Sequence, residues 1–151
     1  MRFNNIFAGP STEVLPQVVE MPVTAAYLPG VIMTLTGTAK FTLAGVATST
    51  QLFVLQENYL AMLDVDDAYQ IDENGLGLVP MDEQFFNCRF AASTVLVKGE
   101  PVALAANGLL RKVTTTGTYF VVGYMDETVT LPASEELARV RFITPRQIVV
   151  P

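Results

Sequence analysis

Residues 98–126 read KGEPVALAANGLLRKVTTTGTYFVVGYMD, three short apolar runs broken first by Asn107-Gly108 and then by a Thr/Gly stretch at residues 114–118. Asn and Gly accept the positive φ angles of a tight reversal, and the flanking runs are rich in residues that suit a pleated sheet. The stretch therefore predicts three antiparallel strands laid out as a meander. Gly123 falls inside the third run, where a glycine predicts a bulge or another backbone passing close by.

The same grammar extends along the chain. In residues 31–36, Val31, Met33 and Leu35 share one face; Gly37-Thr38 reverses the chain; residues 39–44 then alternate, with Phe41 and Leu43 inward and Lys40 and Thr42 outward. Residues 51–56 and 78–81 read as short strands, and residues 84–91 as a longer one with Phe86, Cys88 and Phe90 inward and Asn87 and Arg89 outward. Residues 138–143 form the last strong strand, its outward face carrying Arg139 and Arg141. The first half echoes the second: Gly30 aligns with Gly99 and Leu35 with Leu104, both at an offset of 69 residues. An internal duplication would produce this, and so would two meanders of separate origin. The expected fold is a single all-β domain, an antiparallel β-barrel or β-sandwich of about eight or nine short strands.

Both ends are set apart. Residues 1–22 are punctuated by Gly9-Pro10, Pro16 and Pro22, which rules out a helix and interrupts any ladder, so they predict an extended N-terminal arm. Such an arm either covers an edge of its own domain or crosses to a neighbouring subunit. The domain proper then spans residues 23–151 and ends in an apolar tail, Ile148-Val149-Val150, which either its own sheet or a partner must cover.

Composition narrows the function. At 151 residues the chain supports one core, and with 50% hydrophobic residues, 16% charged residues and a mean hydropathy of +0.38, much apolar surface must be hidden. No apolar run approaches the roughly 18 residues of a membrane helix, and Met1-Arg2 leads into Asn4-Asn5 in place of an apolar signal region. Neither membrane insertion nor export by that route is expected. Fifteen acids against nine bases give a net charge of −6, which repels phosphate and argues against nucleic-acid partners. The single cysteine, Cys88, has no disulfide partner within the chain and reads as a core filler.

Chemistry is scarce. The chain has no histidine, so the usual neutral-pH base, the commonest metal ligand and the histidine-dependent triads are missing. Phosphate-loop, dinucleotide and nucleophile-elbow motifs do not occur. Residues 64–74 carry the densest acidic cluster, yet a calcium loop counted from Asp64 would need Gly and Glu where Tyr69 and Gly75 stand. That segment predicts a solvated loop ending in an Asn74-Gly75 turn, with a looser ion site as the alternative. The reading is of a protein that is not an enzyme, with no cofactor, no catalytic residue and no metal ligand to name.

Lys98, Gly99, Glu100, Pro101, Val102, Leu104, Asn107, Gly108, Val122, Gly123 and Tyr124, with Arg139, Val140, Arg141 and Phe142 near the end, form a pattern that resembles the small capsid decoration (cement) proteins of tailed bacteriophages. The resemblance covers roughly the last third of the chain. It implies a structural virion protein on the exterior of a head assembled in the host cytoplasm, with the major capsid protein as partner and a homo-oligomer, dimer or trimer, as the binding form. Its role would be mechanical: stabilising contacts between major capsid proteins. On this reading the expected contact residues are Phe3, Ile6 and Phe7 in the arm and Ile148, Val149 and Val150 in the tail. A head-fibre or tail-associated β-domain, and a non-viral oligomeric β-barrel of unknown ligand, are the alternatives.

Overall fold

The computed structural model describes residues 3–10, 14–114 and 116–151, and the architecture is nearly all β. The strands are β1 (Phe7–Gly9), β2 (Gln17–Pro22), β3 (Ile32–Leu35), β4 (Phe41–Leu43), β5 (Phe53–Leu55), β6 (Asn74–Val79), β7 (Phe85–Phe90), β8 (Val95–Leu96), β9 (Pro101–Leu104), β10 (Leu110–Lys112), β11 (Gly117–Met125), β12 (Val129–Thr130) and β13 (Glu136–Val150). Two single 3₁₀ turns, Tyr59–Ala61 and Ala106–Gly108, supply the helical content among the described residues. The strands outnumber the expected eight or nine because several are two or three residues long, too short to show a period in sequence.

Ten of these strands form two circuits of the same design. In the first, β2-β6-β5-β3-β4 pair antiparallel in that order, and a parallel bridge between Val23, just past β2, and Phe41 in β4 brings the ends together. In the second, β7-β13-β11-β9-β10 pair antiparallel, and a parallel pair, Leu110 with Phe90, returns β10 to β7. The 69-residue offset holds for whole elements: β3 maps onto β9 and β4 onto β10 at both bounds. Gly30 and Gly99 both sit at φ +88°. Their amides make equivalent bonds, Gly30 to the Leu55 carbonyl (2.7 Å) and Gly99 to the Met125 carbonyl (2.8 Å).

The 98–126 stretch does form three strands with antiparallel pairing, but β11 lies against β9, not β10, so the order is β10-β9-β11 and not a meander. Thr115, in the expected second reversal, lies outside the described residues. Asn107 (φ +58°) and Gly108 (φ +68°) carry the turn between β9 and β10. At Gly123 the register of β11 shifts against both neighbours, and a Cβ there would collide with the Arg141 carbonyl oxygen. The glycine thus serves the bulge and the close approach together.

The first circuit is filled by Val23, Met33, Phe41, Phe53, Leu55 and Tyr69. Phe41 and Phe53 stack tilted with centroids 5.1 Å apart, and burying each ring stabilises the fold by about 1.5–3 kcal/mol. The Phe41 ring lies where a Cβ on Gly77 would stand. This explains a departure from expectation: Asn74-Gly75 opens β6 instead of making a turn, and the reversal falls at residues 70–73, with Asp72 at φ +64°. Gly77 makes room for the aromatic ring and Gly75 for the side chains of Val23 and Leu55, so neither glycine is there for the bend.

The largest core joins the two circuits. Ile32, Val54 and Leu78 of the first pack with Phe86, Cys88, Phe90, Val122, Val140 and Phe142 of the second, so the two share one interior. That sharing overturns one expected facing. Asn87 and Arg89, expected outward, are 1% and 3% exposed. Asn87 Nδ2 donates to the Asn5 carbonyl (2.8 Å), while Arg89 donates from Nε to the Pro29 carbonyl (2.7 Å) and from Nη2 to the Val65 carbonyl (2.6 Å). The chain ahead of β1 covers one residue and the first circuit covers the other, and both covers come from far away in sequence.

Candidate partner-binding surface

Residues 1–2 and 11–13 of the expected arm lie outside the described residues. The remainder is laid on its own chain: β1 runs antiparallel to β7, and β2 pairs with β6 over six residues. Ile6 is fully buried. Its amide donates to Glu57 Oε2 (3.0 Å) and its carbonyl accepts from the Asn87 amide (2.8 Å). Phe7 is half-buried with its ring centroid 5.5 Å from that of Phe86, and Phe3 packs against the same core beneath the Arg139 guanidinium, 5.2 Å from its ring centroid. Ile6 therefore cannot reach a partner while this packing lasts, and Phe3 and Phe7 present only part of their surface.

The tail is also drawn into the fold. β13 continues past residue 143 through Pro145, and Arg146 to Val150 pair with Val121 to Gly117, so the apolar end becomes one strand of a two-stranded ribbon. Ile148 and Val150 turn a half-buried face towards Ala103, Tyr119 and Val121, whereas Val149 stands 71% exposed on the opposite face. The arm residues belong to the large shared core and the tail residues to a separate small cluster, so the two groups do not meet in one surface. Beside the ribbon lies a groove of about 350 Å³, bordered by Ser49, Leu52, Pro80, Phe120, Ile143 and Pro145. No ionisable side chain lines it.

In the acidic loop the carboxylates bind local amides: Asp64 Oδ1 accepts from the Asp66 amide (2.8 Å) and Asp67 Oδ2 from the Asp64 amide (3.0 Å). Among the described residues no group of acids, cysteine or histidine converges as a metal would require. Cys88 is wholly buried and burial pushes its thiol far up, so it sits as an inert core residue. Burial likewise raises the Tyr69 phenol, with the charges of Glu73 and Glu57 adding to the effect.

Residues 57–63 read in the sequence as one helical turn or a continued strand; the structure forms a turn there and leaves it exposed. The turn at residues 58–63 presents Tyr59 (51% exposed), Leu60 (66%) and Met62 (95%), with nothing from Tyr59–Ala61 buried. The signal was a large-apolar cluster, YLAML, that follows a strand without strand alternation and runs straight into the acids. No protein-family model matches this chain, and no curated protein matches it either.

Proposed function

We propose that this chain is a structural virion protein that binds the outer surface of an assembled phage head and stabilises contacts between major capsid proteins. The observation that supports the reading is where the resembling residues fall. The Lys98-Gly99 turn, β9, the Asn107-Gly108 turn, the bulge in β11 and the Arg139–Phe142 part of β13 are neighbours in the second circuit, so the resemblance spans one structural unit and not scattered matches.

The mechanism is mass action. A protein that binds the assembled lattice and not its free subunits stabilises the lattice by its binding free energy. If the binding form is a dimer or trimer, each oligomer engages several sites at once, and effective concentration turns modest contacts into firm attachment. Within the tail, Val149 is the residue most available for such contact, with Ile148 and Val150 shaping the ribbon that carries it.

Quantitative mass spectrometry of purified virions, counting this chain against the major capsid protein, tests the reading. A ratio near one, or a simple fraction of it, is expected. A few copies per particle would move the chain to a fibre or tail, and absence from the particle would remove it from the virion altogether.

A further inference from the structure

The charge of this molecule is concentrated in one place. Glu57, Asp64, Asp66, Asp67, Asp72 and Glu73 all fall between residues 57 and 73, a segment without a single Lys or Arg. The rest of the chain holds nine acids against nine bases, so the net charge of −6 equals that of this segment, although Lys40 and Arg89 fold back beside Asp72 and Asp66 and leave Glu57, Asp64, Asp67 and Glu73 without a basic partner among the ion pairs of the described residues. The exposed apolar turn of Tyr59, Leu60 and Met62 stands in the same segment.

The turn is held rigidly. The Ala61 amide and the Leu63 amide donate to the Asn58 carbonyl (3.0 and 3.1 Å), the Met62 amide to the Tyr59 carbonyl (3.2 Å), and Asn58 Nδ2 to Glu73 Oε1 (2.8 Å). From below, the buried Arg89 fixes the acidic loop through the Val65 carbonyl, and Tyr27 bridges to Tyr69. A preorganised apolar projection gives up little conformational entropy on docking. Large exposed apolar side chains rimmed by charge are the pattern of an interaction site.

We infer that residues 57–73 form the docking element for the capsid protein, which would offer an apolar hollow for Leu60 and Met62 flanked by lysine or arginine. The inference rests on the head-binding reading and places the contact on this turn, not on the arm. Charge complementarity selects the partner: nucleic acid and anionic lipid are repelled by the segment. A second copy is a poor fit, because seven of the chain's nine bases already lie against partners of their own, with Lys112 and Arg2, the latter outside the described residues, the other two. Lys40, Arg89, Lys98 and Arg141 lie beside Asp72, Asp66, Asp126 and Glu83, and Arg111, Arg139 and Arg146 against Tyr119, Phe3 and Tyr124.

The test uses heads of the parent phage assembled without this chain, with the full-length protein added back and bound copies measured by co-sedimentation at low and high salt. Leu60→Ser/Met62→Ser is expected to weaken binding by about tenfold or more. Asp64→Asn/Asp67→Asn keeps both side-chain acceptors and is expected to flatten the salt dependence. All four positions are exposed, so circular dichroism and the melting temperature should match the wild type. Wild-type affinity in both double variants, or loss of binding in Val149→Ser alone, overturns the assignment and leaves head binding standing. Failure of the wild-type protein to bind overturns head binding and this assignment together.

Discussion

Gly30 and Gly99 hold equivalent turns at the same φ, ahead of equivalent strands, yet their surroundings differ completely. A Cβ on Gly30 would run into Leu137 and crowd the Asn87 carbonyl and Arg89, whereas a Cβ on Gly99 would meet nothing within 4 Å. The second circuit reaches into the first at this point: the Arg89 amide donates to the Gly30 carbonyl (2.9 Å) and its guanidinium to Pro29. The contact is returned at Gly108, whose amide donates to the Ala44 carbonyl (2.8 Å) and whose Cβ would strike the Ile32 carbonyl. A repeated local solution therefore does two jobs: at Gly30 it sets a turn and clears a docking face, while at Gly99 it sets a turn only. Each circuit also carries an addition of its own, the 56–73 excursion in the first and the β11–β13 ribbon in the second.

The sharpest test of this asymmetry is removal of residues 1–9. It strips β1 from β7, takes away Ile6 and leaves the Asn87 amide without its partner, all in the region where the circuits join. A loss of about 3–5 kcal/mol is expected from the cavity and the orphaned groups. Denaturant midpoints would measure it, with hydrogen exchange rising in β7 before β2; an unchanged midpoint would mean that the segment is not part of the shared core. Next comes the glycine pair. Gly99→Ala should cost only the backbone strain of a side chain at positive φ, about 1–2 kcal/mol. Gly30→Ala should add about 1–3 kcal/mol of overpacking to that, and equal costs at both sites would break the comparison.

The smallest effect near neutral pH concerns one buried group in each circuit, Cys88 in the second and Tyr69 in the first, both with pKa raised by burial. Unfolded, they ionise near about 8.5 and 10. Because the folded protein keeps both neutral, their contribution is complete below those values and is lost as pH rises. Stability should decline above about pH 8.5 and more steeply above about pH 10, by up to about 1.4 kcal/mol per pH unit for each group. Cys88→Ala should erase the first limb of a stability-against-pH curve and leave the second.

What could be read in the sequence was the part written locally. The alternation Phe86-Cys88-Phe90 gave the buried face of β7, Gly123 announced its bulge, and the 69-residue offset anticipated the repeated circuits. What escaped depended on distant chain. Asn87 and Arg89 look like a solvent face until residues 5–6 and 29–30 arrive to cover them. Asn74-Gly75 imitates a turn because nothing in its own neighbourhood reveals that Val23 and Leu55 need the space at Gly75, as the Phe41 ring does at Gly77. Pro145 argues against a strand at that point, yet β13 carries it where its register with β11 is already broken. At residues 58–63 the sequence shows the apolar cluster but not its exposure, since exposure is a tertiary property.

The way each circuit closes has a mechanical consequence. β11 and β13 are bound along eight residue pairs, but each circuit is completed by a single parallel pair, Val23 with Phe41 and Phe90 with Leu110. Tension along the ribbon loads its bonds in shear, all at once, whereas tension that parts β2 from β4, or β7 from β10, falls on one pair before any other can share it. Under force the molecule should open at these seams like an unfastened cuff, with the long ribbon still closed.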